Sequence, residues 1–502
     1  MITDQNATQV NNAKTSTRPP VVVVLGHVDH GKSSLLEAIR KDFHITSKES
    51  GGITQHIGAY VVEHGGKNIT FIDTPGHEAF SATRSRGAKV ADIAVLVVAA
   101  DEGVKPQTKE AIQQAEDAGI PLVVALHKVD KPGVQTEKVK QQLAEVGIYL
   151  ESFGGKVPQV ETSAVSKKGI TELLDMILLM AELEDLKIDL SKPAEGVVIE
   201  AFMDPKRGSA ATLLVQEGTL KAGDVAGTSS SFGKARILED FQGESIEQAL
   251  PSTPCLVIGF QETPQVGEKF QVFDNEEAAA LFVTSPSSRI LSKSVVEGLP
   301  TLDIVLKVDV LGSLEVVQNS LLAIPQEQVA LRFVAAGVGE ITENDVKTAI
   351  GTKARIIGFR TKMNAKAADL AQKEDLSVET FDVIYELVER IRALMEKNIE
   401  PETVKKELGV MKVLEVFMTN KNRQIVGGKV ATGEIRKGGK ISIFRNEEEV
   451  GQGKIVNLQK QKQDVGSVKA GEECGILYEG QEKVEVGDTL KTFVVESQQA
   501  TL

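Results

Sequence analysis

One short stretch constrains the fold of this chain more than any other: Gly26-His27-Val28-Asp29-His30-Gly31-Lys32-Ser33. It follows the apolar run Val21–Leu25 and precedes a helix-patterned segment that begins with Ser34. GxxxxGK[ST] between a strand and a helix is the pattern of a phosphate-binding loop, with Lys32 on the phosphates and the Ser33 hydroxyl as a ligand for Mg²⁺. Its glycines let backbone amides turn toward an anion, and the helix adds its positive end. The alternative is a glycine-rich strand-to-helix turn without a ligand.

Apolar runs alternate with helical patterns from residue 21 to about residue 190. The predicted strands are Val21–Leu25, Ile69–Ile72, Ile93–Ala99, Leu122–Leu126 and Val160–Thr162. The predicted helices are Ser34–Lys41, Gln107–Ala118, Glu137–Val146 and Ile170–Leu186. Continuous apolar strands separated by helices indicate an α/β fold with a mainly parallel sheet covered on both faces. Ligands of such sheets bind at the carboxyl ends of the strands, where the phosphate-binding loop lies.

A second motif, Asp73-Thr74-Pro75-Gly76, follows the predicted strand Ile69–Ile72. An Asp at this sheet edge can hold Mg²⁺ through water, and the amide of Gly76 can approach a γ-phosphate. The next residue, His77, is the candidate to position an attacking water. Taken alone, these residues also suit an ordinary turn, with His77 as a helix cap. The neighbouring phosphate-binding loop favours the site.

A third motif, His127-Lys128-Val129-Asp130, follows the predicted strand Leu122–Leu126. Asp130 can accept hydrogen bonds from the two N–H donors of guanine, while the stem of Lys128 covers the ring. Adenine lacks that pair of donors, so the mismatch would leave a carboxylate unpaired. Ser163 and Ala164, after the next strand, can offer backbone N–H groups to guanine O6. The alternative for the motif is a solvated Lys/Asp turn.

Composition limits the remaining functions. At 502 residues the chain has room for three to five domains. The sequence contains no apolar run long enough for a membrane span and no secretory signal, which predicts no membrane partner. A net charge of −14 argues against general, charge-driven binding of nucleic acid. The two cysteines, Cys255 and Cys474, give no disulfide framework, so a cytoplasmic location is expected.

These motifs together resemble the signature set of the translational GTPases. The segment Gly51–Gly58 belongs to that set. The particular forms of the motifs are similar to the bacterial initiation-factor-two family. The segments that carry this closer similarity are Gly26–Lys32, Ala88–Ile93, Asp101–Thr108, Ile304–Ser313, Gly337–Glu343 and Val383–Leu387.

The resemblance implies a ribosome-stimulated GTP hydrolase with GTP and Mg²⁺ as its ligands. It places Thr54 in the segment that closes on Mg²⁺ and the γ-phosphate, and it makes His77 the residue that orients the hydrolytic water. The implied partners are the small and large ribosomal subunits and formylmethionyl initiator tRNA, and a monomer is expected. The family has Asn at the position of His127, which predicts weakened affinity for guanine, because the one imidazole nitrogen that faces a ligand can donate or accept a hydrogen bond but cannot do both as an amide group does.

Changes in composition and in the spacing of apolar residues along the chain predict its domain organisation. The predicted divisions are a disordered tail at 1–20, a GTP-binding domain at 21–190, a β-barrel at 191–290, an α/β domain at 291–382, a connecting helix at 383–411, a second β-barrel at 412–495 and a tail at 496–502. Short β-rich runs with Gly and Pro indicate the barrels. Apolar residues at helical spacing from Val383 to Met395 indicate the helix. In the resemblance, this helix continues as a lever toward the last barrel.

The resemblance assigns the last barrel to the formylmethionyl end of the tRNA. The residues matched to that role are Lys460, Lys462, Glu473, Cys474 and Gly475. Three positions depart from the family pattern and predict weakened formylmethionine recognition: Gln459, Gln461 and Gly428. Without the resemblance, Cys474 is an ordinary buried thiol.

Two alternatives of other classes remain at this point. An elongation-type, tRNA-delivering GTPase would place a second barrel directly after the first, whereas residues 300–380 show an α/β pattern. A nucleotide-gated, ribosome-binding scaffold with little hydrolysis would lack the hydrolytic residues, whereas Thr54, Asp73 and His77 are present. The favoured interpretation is therefore an initiation GTPase that positions initiator tRNA, promotes subunit joining and hydrolyses GTP to leave.

Overall fold

The chain divides into two units, Met1–Leu394 and Met395–Leu502, with the boundary inside one helix. The computed structural model describes residues 15–40, 58–76, 78–284, 299–399, 402–420 and 422–498. Among these residues, the helices are all too short or too polar to cross a membrane.

The first part of unit one is a six-stranded sheet with helices on both faces. Its spatial order is β3-β4-β2-β5-β6-β7, and all neighbours are parallel except β3 and β4. The strands, with one further pair, are β1 Thr15–Thr17, β2 Val21–Gly26, β3 Gly58–His64, β4 Lys67–Asp73, β5 Ile93–Ala99, β6 Leu122–His127, β7 Gln159–Glu161 and β8 Lys187–Asp189. The helices are α1 Lys32–Ile39, α2 Ser81–Val90, α3 Pro106–Ala118, α4 Thr136–Glu145 and α5 Ile170–Leu183.

The central strands of this sheet are buried on both faces, which is why their sequences are continuously apolar. Every residue of β2 and of β5 is buried, and separate apolar clusters lie on the two faces. The carboxyl ends of β2, β4, β5 and β6 therefore meet at one edge. The predicted fold class, a mainly parallel α/β sheet with β-barrels elsewhere in the chain, is confirmed.

The prediction of a disordered tail over residues 1–20 is wrong from Thr15 onward. β1 pairs antiparallel with β8, and Arg18 donates two hydrogen bonds of 2.6 Å to the carboxylate of Asp92. This ordering depends on partners far away in the sequence, and a polar strand of three residues carries no periodicity of its own. Residues 1–14 lie outside the described residues.

A closed barrel follows in unit one, with the order β10-β15-β13-β12-β16-β9. Its strands, with a small two-stranded sheet and a final helix, are β9 Glu195–Asp204, β10 Gly208–Glu217, β11 Leu220–Lys221, β12 Val225–Gly227, β13 Phe232–Glu239, β14 Gln248–Ala249, β15 Pro254–Phe260, β16 Lys269–Phe273 and α6 Glu276–Phe282. Small residues such as Ala201, Ala211 and Ala235 fill its centre beside Phe270. The barrel interior is a packed core.

A parallel four-stranded sheet of order β18-β17-β19-β20 completes unit one. Its elements are β17 Thr301–Val308, α7 Leu311–Leu322, β18 Ala330–Val338, α8 Glu343–Thr352, β19 Arg355–Phe359, α9 Ala365–Lys373, β20 Val378–Phe381 and α10 Ile384–Lys397. An α/β segment therefore follows the first barrel directly, in agreement with the pattern of residues 300–380.

Unit two is a sheet in which β21 pairs with both β28 and β22, so that its main strands close into a second barrel. Its strands are β21 Glu402–Asn420, β22 Arg423–Arg436, β23 Lys440–Arg445, β24 Glu448–Lys460, β25 Gln463–Asp464, β26 Ser467–Lys469, β27 Glu473–Gly480 and β28 Thr489–Gln498. The core contains Met411, Cys474 and Tyr478.

The predicted connecting helix over residues 383–411 is wrong in its second half. The helix α10 ends at Lys397, and residues from Glu402 onward belong to β21. The charges of Lys405, Lys406 and Glu407 gave this segment the composition of a connector. In the structure Lys405 and Glu407 pair with Val495 and Phe493 of β28, so backbone pairing outweighs the polar composition. Likewise, β28 extends to Gln498, three residues into the predicted tail.

Candidate nucleotide-binding site

The loop between β2 and α1 is shaped by two glycines with positive φ angles. Gly26 has φ +144°, and a Cβ added there would lie 2.4 Å from the carbonyl oxygen of Val97. Gly31 has φ +91°, and a Cβ there would lie 2.6 Å from Cδ2 of His127. Side chains do not fit at either position. Because Gly31 is the N-cap of α1, the positive end of this helix faces the loop, as an anion site requires.

Lys32 lies inside this loop with only 6% of its surface exposed. Its amine donates to the carbonyl oxygens of Gly26 at 3.0 Å and His27 at 2.8 Å. Burial lowers the pKa of Lys32 to about 8, while the nearby Asp73 carboxylate opposes this change. The amine is thus held among backbone oxygens, where an incoming phosphate group can replace them as its partner.

The side chains of the two histidines of the loop, His27 and His30, pack against each other. His30 is completely buried, and its Nδ1 lies 3.4 Å from the carbonyl oxygen of Val97 in β5. Burial and the neighbouring His27 lower the pKa of His30 to about 3, so it is neutral at pH 7. The two rings meet edge to face with centroids 5.0 Å apart. The side chain of His30 therefore lies behind the loop, and only its backbone can serve a nucleotide.

The segment after β4 packs on the other side of Lys32. Asp73, only 2% exposed, ends β4 beside Val24 of β2, and the hydroxyl of Thr74 donates to the Val24 carbonyl at 2.8 Å. A Cβ on Gly76 would lie 2.5 Å from the Lys32 amine, which shows how closely the Asp73–Gly76 backbone approaches the loop. The predicted residues Thr54 and His77 lie outside the described residues.

The oxygen donors at this edge fit Mg²⁺. The Ser33 hydroxyl and the Asp73 carboxylate are hard oxygen ligands, and both lie beside Lys32. Among the described residues, His, Cys, Asp and Glu form no group of three that could cage a metal ion. Mg²⁺ usually takes one or two protein oxygens and completes its shell with phosphate oxygens and water.

Helix α3 braces both phosphate-facing segments, a feature that the sequence analysis missed. The side-chain oxygen of Gln107 accepts a 3.1 Å hydrogen bond from the amide of Val28. One turn later, Glu110 accepts a 2.6 Å bond from Arg84 of α2, whose guanidinium also donates to the Pro75 carbonyl at 3.2 Å. Arg84 is 1% exposed. The three-residue spacing of Gln107 and Glu110 on one helical face was the available signal, whereas Arg84 belongs to no pattern.

The third motif lies at the carboxyl end of β6, next to the phosphate-binding loop. Lys128, with φ +61°, directs its amine across to the carbonyl oxygen of Asp29. Asp130 is exposed, and a hydrogen bond from the Ser163 hydroxyl lowers the pKa of its carboxyl group. The carboxylate is therefore charged at pH 7. The structure brings the predicted residues His127 to Asp130 together with Ser163.

The segment after β7 contributes one backbone donor fewer than predicted. The amide of Ser163 donates to the carbonyl oxygen of Lys168 at 3.0 Å, so it is not available to guanine O6. The neighbouring amide of Ala164 is the donor that remains for this role. The Ser163 hydroxyl instead accepts from the Ser166 amide at 3.1 Å and serves Asp130.

The residues predicted for the tRNA end lie on the neighbouring strands β24 and β27 of the second barrel and in the turn after β24. Glu473, Cys474 and Gly475 begin β27, and Gly475 pairs with Gln459 of β24. Cys474 is 6% exposed, its sulfur lies 3.5 Å from that of Met411, and burial raises the pKa of the thiol to about 11. A Cβ on Gly428 would lie 2.5 Å from the backbone carbonyl oxygen of Lys412, which leaves no room for a larger residue without a shift of the backbone.

The two lysines predicted to contact the tRNA end, Lys460 and Lys462, differ in their surroundings. Lys460 donates a 2.6 Å hydrogen bond to Glu472, so its charge is already paired. Lys462 lies in the turn after β24 with φ +64°. The charge of Lys460 is therefore partly offset by Glu472 across a partly exposed ion pair.

Comparisons with known proteins match three family models to successive parts of the chain. The elongation factor Tu GTP binding domain matches residues 18–182, elongation factor G domain 2 matches residues 193–273, and translation-initiation factor 2 matches residues 284–392. Among solved structures, GDP-bound aIF5B from Aeropyrum pernix is 25% identical with a TM-score of 0.44, over 95% of this chain and 92% of that one.

Two curated relatives match almost the whole chain. Translation initiation factor IF-2 from Carboxydothermus hydrogenoformans is 44% identical over 501 residues, which cover 97% of this chain and 60% of that protein. The factor of the same name from Bartonella quintana is 42% identical over 510 residues, which cover 98% and 60%. The chain thus spans about 60% of the length of these relatives.

The parallel sheet, its phosphate-binding loop and the matched GTP-binding domain define the class of this protein, a translational GTPase. The initiation-factor model over residues 284–392 and the identity along almost the whole chain narrow the class further. The chain belongs to the translation initiation factor IF-2 family. The resemblance seen in the sequence is thereby confirmed.

Proposed function

We propose that this chain is a translation initiation factor that binds GTP with Mg²⁺ and hydrolyses GTP when it is stimulated by the ribosome. It positions formylmethionyl initiator tRNA on the small ribosomal subunit, promotes joining of the large subunit, and leaves after hydrolysis. It acts in the cytoplasm as a monomer. The alternative of an elongation factor has less support, because an α/β sheet rather than a second barrel follows the first barrel.

One observation carries the proposal: three kinds of nucleotide contact meet at one edge of one sheet. The buried Lys32 amine and the amino end of α1 are suited to phosphates. The Asp73–Gly76 segment packs within contact distance of that amine, where a γ-phosphate would lie. The charged Asp130, held by Ser163, supplies the acceptor pair that distinguishes guanine from adenine.

In this proposal, Ser33, Asp73 through water, and Thr54 would hold Mg²⁺, which would neutralise charge on the phosphate oxygens. Lys32 trades its carbonyl partners for phosphate oxygens. The Gly76 amide faces the γ-phosphate, and the Arg84–Glu110 pair fixes the carbonyl of Pro75 next to it. His77 then orients the attacking water, and the arrangement is lost with the γ-phosphate.

The second barrel is proposed to receive the formylmethionyl end of the initiator tRNA through Lys460, Lys462, Glu473, Cys474 and Gly475. The Lys460–Glu472 pair and the net charge of −14 predict that this contact depends on shape more than on charge. Binding is therefore expected to be weak when the ribosome is absent.

GTP turnover by the purified full chain tests the proposal. The rate is measured alone, with small subunits, and with small and large subunits together, using Lys32→Ala as the control that removes the phosphate contact. We expect slow turnover alone, a large increase only when both subunits are present, and none for the variant. GTP binding without stimulated turnover would favour the scaffold alternative, and absence of GTP binding would refute the proposal.

A further inference from the structure

One side of the second barrel carries lysines on three adjacent strands. Hydrogen bonding places β28 between β21 and β23. Because side chains alternate along a strand, a residue next to a core residue points outward, and three lysines have such neighbours: Lys412, Lys440 and Lys491. The amine of Lys405 lies on the same side, 4.9 Å from the ring centre of Phe493, which is two residues from Lys491. We call Lys405, Lys412, Lys440 and Lys491 the lysine face.

Two members of the lysine face have another lysine directly opposite on the next strand. Lys412 pairs with Lys429 of β22, and Lys440 pairs with Lys454 of β24. All four side chains are exposed. Among the described residues, no carboxylate lies within 4.0 Å of these four amines. Like charges directly opposite destabilise a sheet, so the barrel keeps these lysines without a gain in stability.

The nearby carboxylates offset little of this charge. Glu407 lies 3.8 Å from the Lys491 amine, but the side chains are 53% and 40% exposed, so solvent screens the pair. Glu479 is opposite Lys454 on β27, where it forms a 3.0 Å ion pair with Arg423 instead.

The charge of the barrel as a whole also differs from that of the chain. Between residues 402 and 498 the sequence has 16 Lys and Arg against 15 Asp and Glu, whereas the whole chain has a net charge of −14. The excess of negative charge therefore lies outside this barrel. A polyanion that approaches the lysine face meets a local field that the net charge of the chain does not describe.

The lysine face is separate from the residues predicted for the tRNA end. It is centred on β28, which lies three strands from β27 in either direction around the ring of six main strands. At its borders the positive charge ends, because Glu473 and Glu479 of β27 are opposite Lys429 and Lys454. The predicted tRNA residues Glu473 to Gly475 thus lie on the other side of the barrel.

The residues between the lysines favour phosphate over a protein partner. Thr489 is opposite Lys412, and Ser442 is opposite Lys491. Lysines with hydroxyl residues among them are typical contacts of nucleic-acid phosphates, whereas protein interfaces have an apolar and aromatic centre. The ring of Phe444 is not open for such a centre, because the Lys491 amine lies 4.7 Å from its middle.

We propose that the lysine face binds the phosphate backbone of an RNA strand. The choice of RNA rests on the proposed function in translation, whereas the recognition of a phosphate backbone does not. Neighbouring strands are about 4.8 Å apart, so three strands span about 10 Å, enough for a few consecutive phosphates. Contacts of this kind carry no base information and weaken with salt.

Fluorescence anisotropy of a labelled polyuridylate of about 20 nucleotides tests the proposal on the full chain. Four lysines on a single strand predict a slope of about −2.8 for log K against log salt, at about 0.7 for each contact. The double variant Lys412→Gln, Lys440→Gln should reduce the slope to about −1.4 and weaken binding about tenfold at about 50 mM salt. The matched control is Lys469→Gln, Lys483→Gln, which removes two exposed lysines elsewhere on this barrel and should change affinity less than about twofold.

Two further measurements exclude damage to the fold as the cause. Each substitution in the double variant relieves one pair of like charges, so its thermal midpoint should equal or exceed that of the natural chain. The variant Lys412→Arg, Lys440→Arg keeps the charge and should bind the RNA as tightly as the natural chain does. A lowered midpoint together with unchanged RNA affinity would show that the lysines serve the fold and would overturn the proposal.

The other outcomes are equally decisive. The proposal is overturned if the double variant binds the RNA as tightly as the natural chain, or if the control loses as much affinity. Tighter binding of a polyglutamate peptide than of the RNA would identify an acidic protein as the partner and would also overturn it. Because the assay contains no GTP, failure of GTP binding or turnover would refute the proposed function and leave this result unaffected.

Discussion

The Arg84–Glu110 pair gives the sharpest test of how the Asp73–Gly76 segment is held in place. We expect Glu110→Gln to loosen α2 and the Pro75 carbonyl that Arg84 binds, because the substitution keeps the shape of the side chain and removes its charge. Removing one partner of a buried ion pair costs about 3–5 kcal/mol. Glu110 is 31% exposed, and the glutamine oxygen still accepts a hydrogen bond, so solvent screening and this bond reduce the expected loss to about 1–2 kcal/mol.

The same variant predicts a dependence on pH. Burial raises the pKa of Glu110, but hydrogen bonds from Ser81 and Arg84 outweigh it and hold the pKa below the ordinary value of 4.5. The stabilisation from the charged carboxylate is therefore complete above pH 4.5 and is lost as the pH falls through the folded-state pKa. The natural chain and the variant should become equal in strongly acidic solution.

Native-state hydrogen exchange with mass spectrometry measures this effect, since it reports the free energy of opening for peptides of α2 separately from the other domains. Glu116→Gln is the matched control, because Glu116 is exposed on the same helix α3. We expect the control to leave the opening of α2 unchanged. Equal opening free energies for Glu110→Gln and the natural chain at pH 7, or a deficit that persists after full protonation, would refute the reasoning.

Three further predictions concern the proposed activity. His77→Ala should bind GTP almost normally but lose most ribosome-stimulated turnover, and unchanged turnover in the same assay would remove its catalytic role. Asp130→Asn should shift preference from GTP toward XTP in competition binding, because the new amide donor suits the C2 carbonyl of xanthine; a preserved preference for GTP would show that Asp130 does not select the base. Glu472→Gln should release Lys460 and strengthen binding of formylmethionyl-tRNA a few fold at low salt, measured as protection of its ester; unchanged protection would exclude Lys460 as a contact.

The fold could be predicted where the pattern of the sequence is local. The apolar runs of β2, β5 and β6 are long and continuous because both of their faces are buried, and each predicted strand lies within a residue or two of its observed bounds. The polar helix α2 and the polar strand β1 were not predicted from the sequence. α2 buries Thr83 and Arg84 through partners on other elements, and β1 depends on β8, more than 150 residues away. A pattern of apolar spacing cannot report stabilisation of that kind.

The residues of the candidate site also differ in whether a local sequence pattern predicts them. Lys32, Asp73 and Asp130 are predictable because each belongs to a short motif at the end of a strand, and the parallel sheet brings those ends to one edge. The residues that support the motifs through side-chain contacts lie at no fixed distance from the motifs in the sequence. Thr162 lies within hydrogen-bond distance of His127 across 35 residues, and Glu110 holds Arg84 across 26. The motifs therefore predict which ligand the chain takes, whereas the stiffness of its Asp73–Gly76 segment follows from tertiary contacts that no motif contains.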